Sequence, residues 1–193
     1  MRAGHERPAA RPVGRNILIL GAPGSGKSTL ARRLADRLGL RIIHFDQLYW
    51  QPGWVARSMD EVAGDIEESI QGDGWVFDGN NSRTLAMRAE RADTLIWLDL
   101  PRALCMARVV RRVLGSYGRT RPDMAAGCPE RFDPKFLRWA WTFPQHYRPG
   151  QAAFFETTTI ANRHRLTSPA EVRRFEELVD RTMPLPATAE RLG

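Results

Sequence analysis

The segment Gly21 to Thr29 reads Gly-Ala-Pro-Gly-Ser-Gly-Lys-Ser-Thr, and it constrains the fold more than any other stretch of the chain. It ends an apolar run, Asn16 to Leu20, and opens an amphipathic segment that places Leu30, Leu34 and Leu38 on one helical face. Strand, glycine-rich turn and helix in that order are the setting of a Walker A phosphate loop. Gly21, Gly24 and Gly26 let the backbone curl, with Ala22, Pro23 and Ser25 completing the turn, so that N–H groups of the loop converge on phosphate at the positive end of a helix. Lys27 is expected at the β- and γ-phosphates, the Ser28 hydroxyl at Mg²⁺, and Thr29 at the rim of the same site.

The remaining pattern extends that unit. Strands are expected at 16–20, 41–45, 75–78 and 94–99, with a weaker polar one near 163–167. Helices are expected at 27–38, 59–70, 82–89, 102–114 and 133–147, with a last one after Ser168 and Pro169. The alternation calls for an α/β fold, a five-stranded parallel sheet flanked by helices. The chain has 193 residues, enough for one sizeable core. Residues 1–14 read as a flexible basic lead-in, 15–182 as one domain with a lid or substrate-facing insertion at 102–131, and 183–193 as a tail.

No apolar stretch reaches membrane-spanning length and the first fourteen residues carry no hydrophobic signal core, so a cytoplasmic protein is expected. Two cysteines, Cys105 and Cys128, without a His/Cys cluster point to reduced thiols. The net charge of +7 invites a nucleic-acid reading. Much of the excess lies between Arg102 and Pro122, where Arg102, Arg108, Arg111, Arg112, Arg119 and Arg121 occur without an acid. Such concentration suits a polyphosphate, and nucleic acid is the less favoured partner.

Open parallel sheets bind ligands beyond the carboxyl ends of their strands. Asp46, Asp78 and Asp99 fall at such ends. Asp46 is read as the group that orients or deprotonates an acceptor hydroxyl, Asp78 as a Mg²⁺ holder with Ser28, and Asp99 as an acid that equally well just ends its strand. Asn80 and Arg83 follow Asp78 and are assigned to the acceptor, Arg83 at an acidic substituent. Arg108 and Arg112 are substrate-facing candidates, while Arg119 and Arg121 follow the possible hinges Gly115 and Gly118 and are assigned to the transferred phosphoryl group. Trp50 and Trp54 supply aromatic surface for an acceptor, or pack their loop onto the core. At least one of Trp139 and Trp141 is expected in the core, and His44 and His146 are read as structural or peripheral.

Four segments together resemble a known group, the adenylate-kinase-like P-loop proteins labelled DNA topology modulation proteins, or FlaR-related. They are 21–29; Ile-His-Phe-Asp-Gln-Leu-Tyr-Trp-Gln-Pro-Gly-Trp at 43–54; Phe-Asp-Gly-Asn-Asn-Ser-Arg-Thr at 77–84; and Gly-Arg-Thr-Arg-Pro-Asp-Met-Ala-Ala-Gly-Cys-Pro-Glu at 118–130. The resemblance spans about residues 15–148 and implies an ATP-binding core of nucleotide-kinase type, with Asp78 on the magnesium side. Adenylate kinases carry Asp-Gly-Phe-Pro-Arg where this chain has Asp78-Gly79-Asn80-Asn81-Ser82-Arg83, so the resemblance does not carry AMP over as acceptor. The reading reached from sequence is a MgATP-dependent kinase acting on a nucleoside, nucleotide or other small hydroxyl-bearing acceptor. The alternatives are an ATP-dependent switch or regulatory nucleic-acid-binding protein that hydrolyses ATP without a phosphoacceptor, and a nucleotide sensor.

Overall fold

A computed structural model describes residues 11–183. Strand β1, Asn16–Gly21, is apolar on both faces because both are covered: Ile17 and Ile19 enter one core, Leu18 and Leu20 the other. Helix α1, Lys27–Leu38, and a C-terminal helix pack over the first face through Leu30, Leu34, Phe175 and Val179. The second face is closed by Val62 and Ile66 against Trp75, Phe77 and Trp97. Each fully buried large side chain contributes about 1.5–3 kcal/mol, so the two faces together hold the sheet as a rigid floor.

The other elements are β2 (Arg41–His44), α2 (Phe45–Tyr49), β3 (Trp50–Gln51), β4 (Val55–Ala56), α3 (Met59–Ser69), β5 (Trp75–Asp78), α4 (Leu85–Arg91), β6 (Thr94–Leu98), α5 (Arg102–Gly115), α6 (Pro134–Thr157), β7 (Asn162–Leu166) and α7 (Pro169–Thr182). The main sheet runs β2-β5-β1-β6-β7, every pair parallel. The phosphate loop therefore leaves the central strand, flanked by the ends of β5 and β6.

Several boundaries differ from the sequence expectation. The hairpin β3–β4 was not foreseen: its strands are two residues long, and its turn places Gly53 at φ 80° and Trp54 at φ 65°. Helix α4 starts at Leu85, not 82, because residues 79–84 are held as a loop by Arg88. Helix α6 runs ten residues past 147, through Pro144 and Pro149. An internal proline costs about 3 kcal/mol, but the extension packs Ala152, Phe154 and Phe155 against the second core and brings Arg148 onto Asp99. Neither Trp139 nor Trp141 is in the core: they are 42 % and 44 % exposed, and Phe143 fills the buried position instead. Residues 12–14, expected within the flexible lead-in, are fastened: Val13 is fully buried, and the Gly14 amide donates to Thr94 Oγ1 at 2.8 Å. Residues 1–10 of the lead-in, and the tail beyond Met183, lie outside the described residues.

Candidate active site

The phosphate loop is shaped as a cradle. Gly24 (φ 76°) and Gly26 (φ 98°) are left-handed, and a Cβ at Gly24 would stand 2.2 Å from the Cys105 carbonyl oxygen. Two polar groups point into the cradle. The buried Ser25 hydroxyl has no partner among the described residues, and the Lys27 amine donates to the Ala22 carbonyl of its own loop at 3.1 Å. Desolvation pushes the Lys27 amine below its ordinary pKa, while the charges of Asp78 and Asp46 pull it back up. An anion in the loop supplies what both lack.

A cleft of about 980 Å³ opens over the cradle. It is lined by Arg108, Arg111, Pro169, Val172 and Arg173 and by Asp46, Asp78, Trp50, Trp54, Arg121, Phe136 and Trp139. The sheet register explains the two acids. His44 and Asp78 are paired neighbours at the ends of β2 and β5, and His44 Nδ1 meets Asp78 Oδ2 at 2.7 Å in the interior. Asp46 follows in the first turn of α2 and is open to the cleft. Although accessible, it lies under the cleft walls: desolvation, then the nearby Asp78 charge, raise its carboxyl above the ordinary range, against Lys27 and Arg121.

Hydroxyl and carboxylate oxygens from Ser28, Asp78 and their neighbours are the hard donors that Mg²⁺ prefers. Asp78 gives one oxygen to His44 and keeps the other. Among the described residues no group of three acidic, His or Cys side chains could by itself hold a metal. Such a donor set fits a cation that arrives with phosphate and water oxygens completing its shell.

Other candidate residues take different places. Asn80 faces the loop: its Oδ1 accepts the Gly21 amide at 3.0 Å and its Nδ2 donates to the Gly21 carbonyl at 2.5 Å, with Gln151 Nε2 also on Oδ1 at 2.9 Å. Its amide braces the cradle, and the residue also lines the cleft in which an acceptor would sit. Arg83 is placed elsewhere. It is exposed, outside the cleft, and paired with Asp60 at 3.0 Å, because Arg88 draws the 79–84 loop inward and leaves Arg83 on its outer side. Arg119 is exposed and absent from the cleft wall, since residues 117–130 form a small bridged turn that points it outward. Arg108, Arg112 and Arg121 do line the cleft. Arg108 donates to the Ser25 carbonyl at 3.2 Å. Arg112 Nε and Arg121 Nε reach the buried Glu130 Oε1 at 3.1 and 2.5 Å, at ion-pair distance but off the line of their N–H bonds. Asp99 ends its strand in a bidentate pair with Arg148 and a second pair with Arg165.

The hairpin carrying Trp50 and Trp54 is fastened to segment 117–131. Trp54 Nε1 donates to the Pro129 carbonyl at 3.0 Å, Gln47 Nε2 to that of Pro122 at 2.6 Å, and the Gly53 amide to that of Gly127 at 2.8 Å. Trp50 stands edge-on to Trp54, so both rings form one wall of the cleft as well as packing their loop. Sequence reasoning missed Arg88, Asp123 and Glu130, all buried, and the pairing of His44 with Asp78. Only the last had a signal: both residues end strands at the same level of a parallel sheet.

Residues 17–121, from β1 into the arginine-rich segment, match the family described as AAA domain. The chain belongs to this family. Two relatives bear on the chemistry of this AAA-domain protein. A shikimate kinase from Corynebacterium efficiens is 32% identical over 62% of this chain and 73% of its own length. An adenylate kinase from Halobacterium salinarum is 31% identical over 54% of this chain and 61% of its own length. A gluconokinase structure from Sinorhizobium meliloti 1021, 16% identical, shares the fold with a TM-score of 0.51, covering 89% of this chain and 93% of its own. The AAA-domain protein is a P-loop phosphotransferase of the small-molecule kinase type. No helix among its described residues is long and apolar enough to cross a membrane.

Proposed function

We propose that the protein transfers the γ-phosphoryl group of MgATP to a hydroxyl of a small acceptor held between Asp46 and the Trp50/Trp54 wall. The observation that carries this reading is that one cleft holds the phosphate cradle with Lys27 together with a carboxylate of raised pKa and an aromatic wall. Acceptor assignments of Asp46, Trp50 and Trp54 rest on that placement. The finer likeness to the group labelled DNA topology modulation proteins is supported by the same geometry, because segments 43–54 and 118–130 dock on each other. Many basic side chains are already paired, among them Arg33, Arg37, Arg57, Arg83, Arg148 and Arg165, which favours a small acceptor over a nucleic acid.

In this reading the loop amides and Lys27 grip the triphosphate, and Arg108, Arg112 and Arg121 offset charge on the transferred group. Asp46 accepts the proton as the acceptor oxygen bonds to the γ-phosphorus and the bond from that phosphorus to the bridging oxygen breaks, releasing the diphosphate. Ser28 and Asp78 would hold Mg²⁺, which neutralises phosphate charge when bound. The test is labelled ATP with Mg²⁺ against a panel of nucleosides, nucleoside monophosphates and small polyols. Label on one acceptor, abolished by Lys27→Ala, is the expected result. Label released only as inorganic phosphate overturns the kinase reading in favour of an ATPase switch.

A further inference from the structure

Cations are plentiful along the cleft, but several of them, Arg32, Arg111, Lys135 and Arg173, are exposed, with charged heads that stay hydrated. Arg112 and Arg121 differ. Both are half-buried and they share one acid: their Nε atoms stand 3.1 and 2.5 Å from Oε1 of Glu130, which is itself 5 % exposed.

Glu130 is a fixed point in the turn. Its amide donates to the Arg119 carbonyl at 3.0 Å and its carbonyl accepts the Gly118 amide at 2.8 Å, so the backbone is pinned while the side chain reaches across to α5. The acid answers an electrostatic need. Two guanidinium groups brought to one place repel where the dielectric is low: burial, then the Arg121 charge, push Arg112 below the ordinary guanidinium range, and the Glu130 charge pulls it back. The same contact sets direction. Arg121 has Nε at Glu130 and Nη1 on Asp123, which leaves Nη2, and Arg112 has Nε at Glu130, which leaves both terminal nitrogens. Neither Nε–H is aligned on Oε1, so the acid holds the two groups in place and leaves their planes to turn toward a ligand.

We infer that Glu130 is a positioning residue: it lets two like-charged side chains, Arg112 from α5 and Arg121 from segment 117–131, stand together in the cleft wall with their terminal nitrogens available to the γ-phosphoryl group. The inference rests on the MgATP reading of the phosphate loop. It makes the two arginines one device with an acid behind it, joining a helix of the fold to the segment that docks on the Trp54 hairpin.

Calorimetric titration in excess Mg²⁺ with ADP and with the non-hydrolysable β,γ-imido analogue of ATP, on wild type, Glu130→Gln, Arg121→Gln and the double variant, tests it without turnover or acceptor. Wild type is expected to bind the triphosphate at least about fivefold more tightly than the diphosphate, and Glu130→Gln to lose most of that ratio with diphosphate affinity kept. The double variant should lose less of the ratio than the product of the two single losses, because Glu130 acts through the arginine. Glu130→Asp, charged but one methylene shorter, should fall between wild type and Glu130→Gln; if the Gln variant does not fold, a wild-type ratio in Glu130→Asp overturns the inference. An unchanged or larger ratio in Glu130→Gln also overturns it, the latter making the acid a brake on the arginines. So do an equal loss of diphosphate affinity, which marks a merely structural role, and losses that multiply in the double variant. Wild type that binds both nucleotides equally overturns the inference alone, whereas wild type that binds neither overturns the MgATP reading and the inference with it.

Discussion

Replacing Arg88 by Met should destabilise the protein and, through one connected path, weaken its grip on nucleotide. Arg88 is fully buried, donates to the carbonyls of Thr84, Gly79 and Asn81, and lies 4.6 Å from the Phe77 ring centroid. Desolvation pushes its pKa well below the ordinary guanidinium range, to about 9, a penalty on the charged form of about 5 kcal/mol. Against that stand three hydrogen bonds from a charged donor, about 1.5–3 kcal/mol each, and a contact with the ring of about 2 kcal/mol. Methionine recovers the penalty and some apolar burial but leaves the Gly79 and Asn81 carbonyls dry, while that of Thr84 keeps the main-chain amide of residue 88, so the net loss should be roughly 3 kcal/mol. For a domain of this size that is a fall in Tm of about 6–12 °C. The loop so loosened carries Asn80, whose two bonds to Gly21 shape the cradle. MgATP affinity should therefore drop about five- to tenfold, and Arg88→Lys should fall between. Thermal melts with and without MgATP, with titration calorimetry, measure both effects. A variant that melts within about 2 °C of wild type refutes the stability argument; one that melts early but binds MgATP normally refutes the path from Arg88 through Asn80.

Asp46→Asn should lower phosphoryl transfer about 10²- to 10⁴-fold with MgATP affinity kept. Because the native carboxyl holds its proton more tightly than the unfolded one, its ionisation opposes folding above its native pKa; the Asn variant should melt no lower than wild type at pH 7, and a lower Tm counts against the raised pKa. For the same reason the acid limb of the wild-type kcat profile should fall above the ordinary carboxylate range and disappear in the variant. Gly127→Ala would put a Cβ 2.8 Å from Pro52 Cβ at φ 73°, prising the Trp54 hairpin from its segment. Tryptophan quenching by acrylamide should rise and acceptor KM should increase, with MgATP affinity held; unchanged quenching would count against the docking of the hairpin.

The parallel sheet and the cradle were legible because each follows from local pattern: an apolar run buried on both faces, then glycines whose positive φ the turn demands. Helix α6 was legible only to residue 147, short of Pro149, since what carries it onward is the burial of Phe154 and Phe155 against Trp97, a contact distant in sequence. The arginines show the limit most clearly. Arg83, Arg119 and Arg121 look alike in sequence, yet their placement is decided by acids elsewhere: Asp60 keeps Arg83 outside, while Glu130 and Asp123 hold Arg121 in the cleft wall.

That dependence bears on how the site is assembled. Hairpin 50–56 is bonded to segment 117–131 through Trp54 and Gly53, with Gln47 of α2 holding the same segment beside it. The acceptor wall and the Arg121–Asp123 pair are thereby one body facing the cradle on the sheet. A shift of either piece changes the distance from Asp46 and Trp50 to Lys27 and, at the same time, the charge at Ser28. In the proposed reading, acceptor seating and the placement of Arg121 would depend on a single contact surface, which is why neither shows in a motif taken by itself.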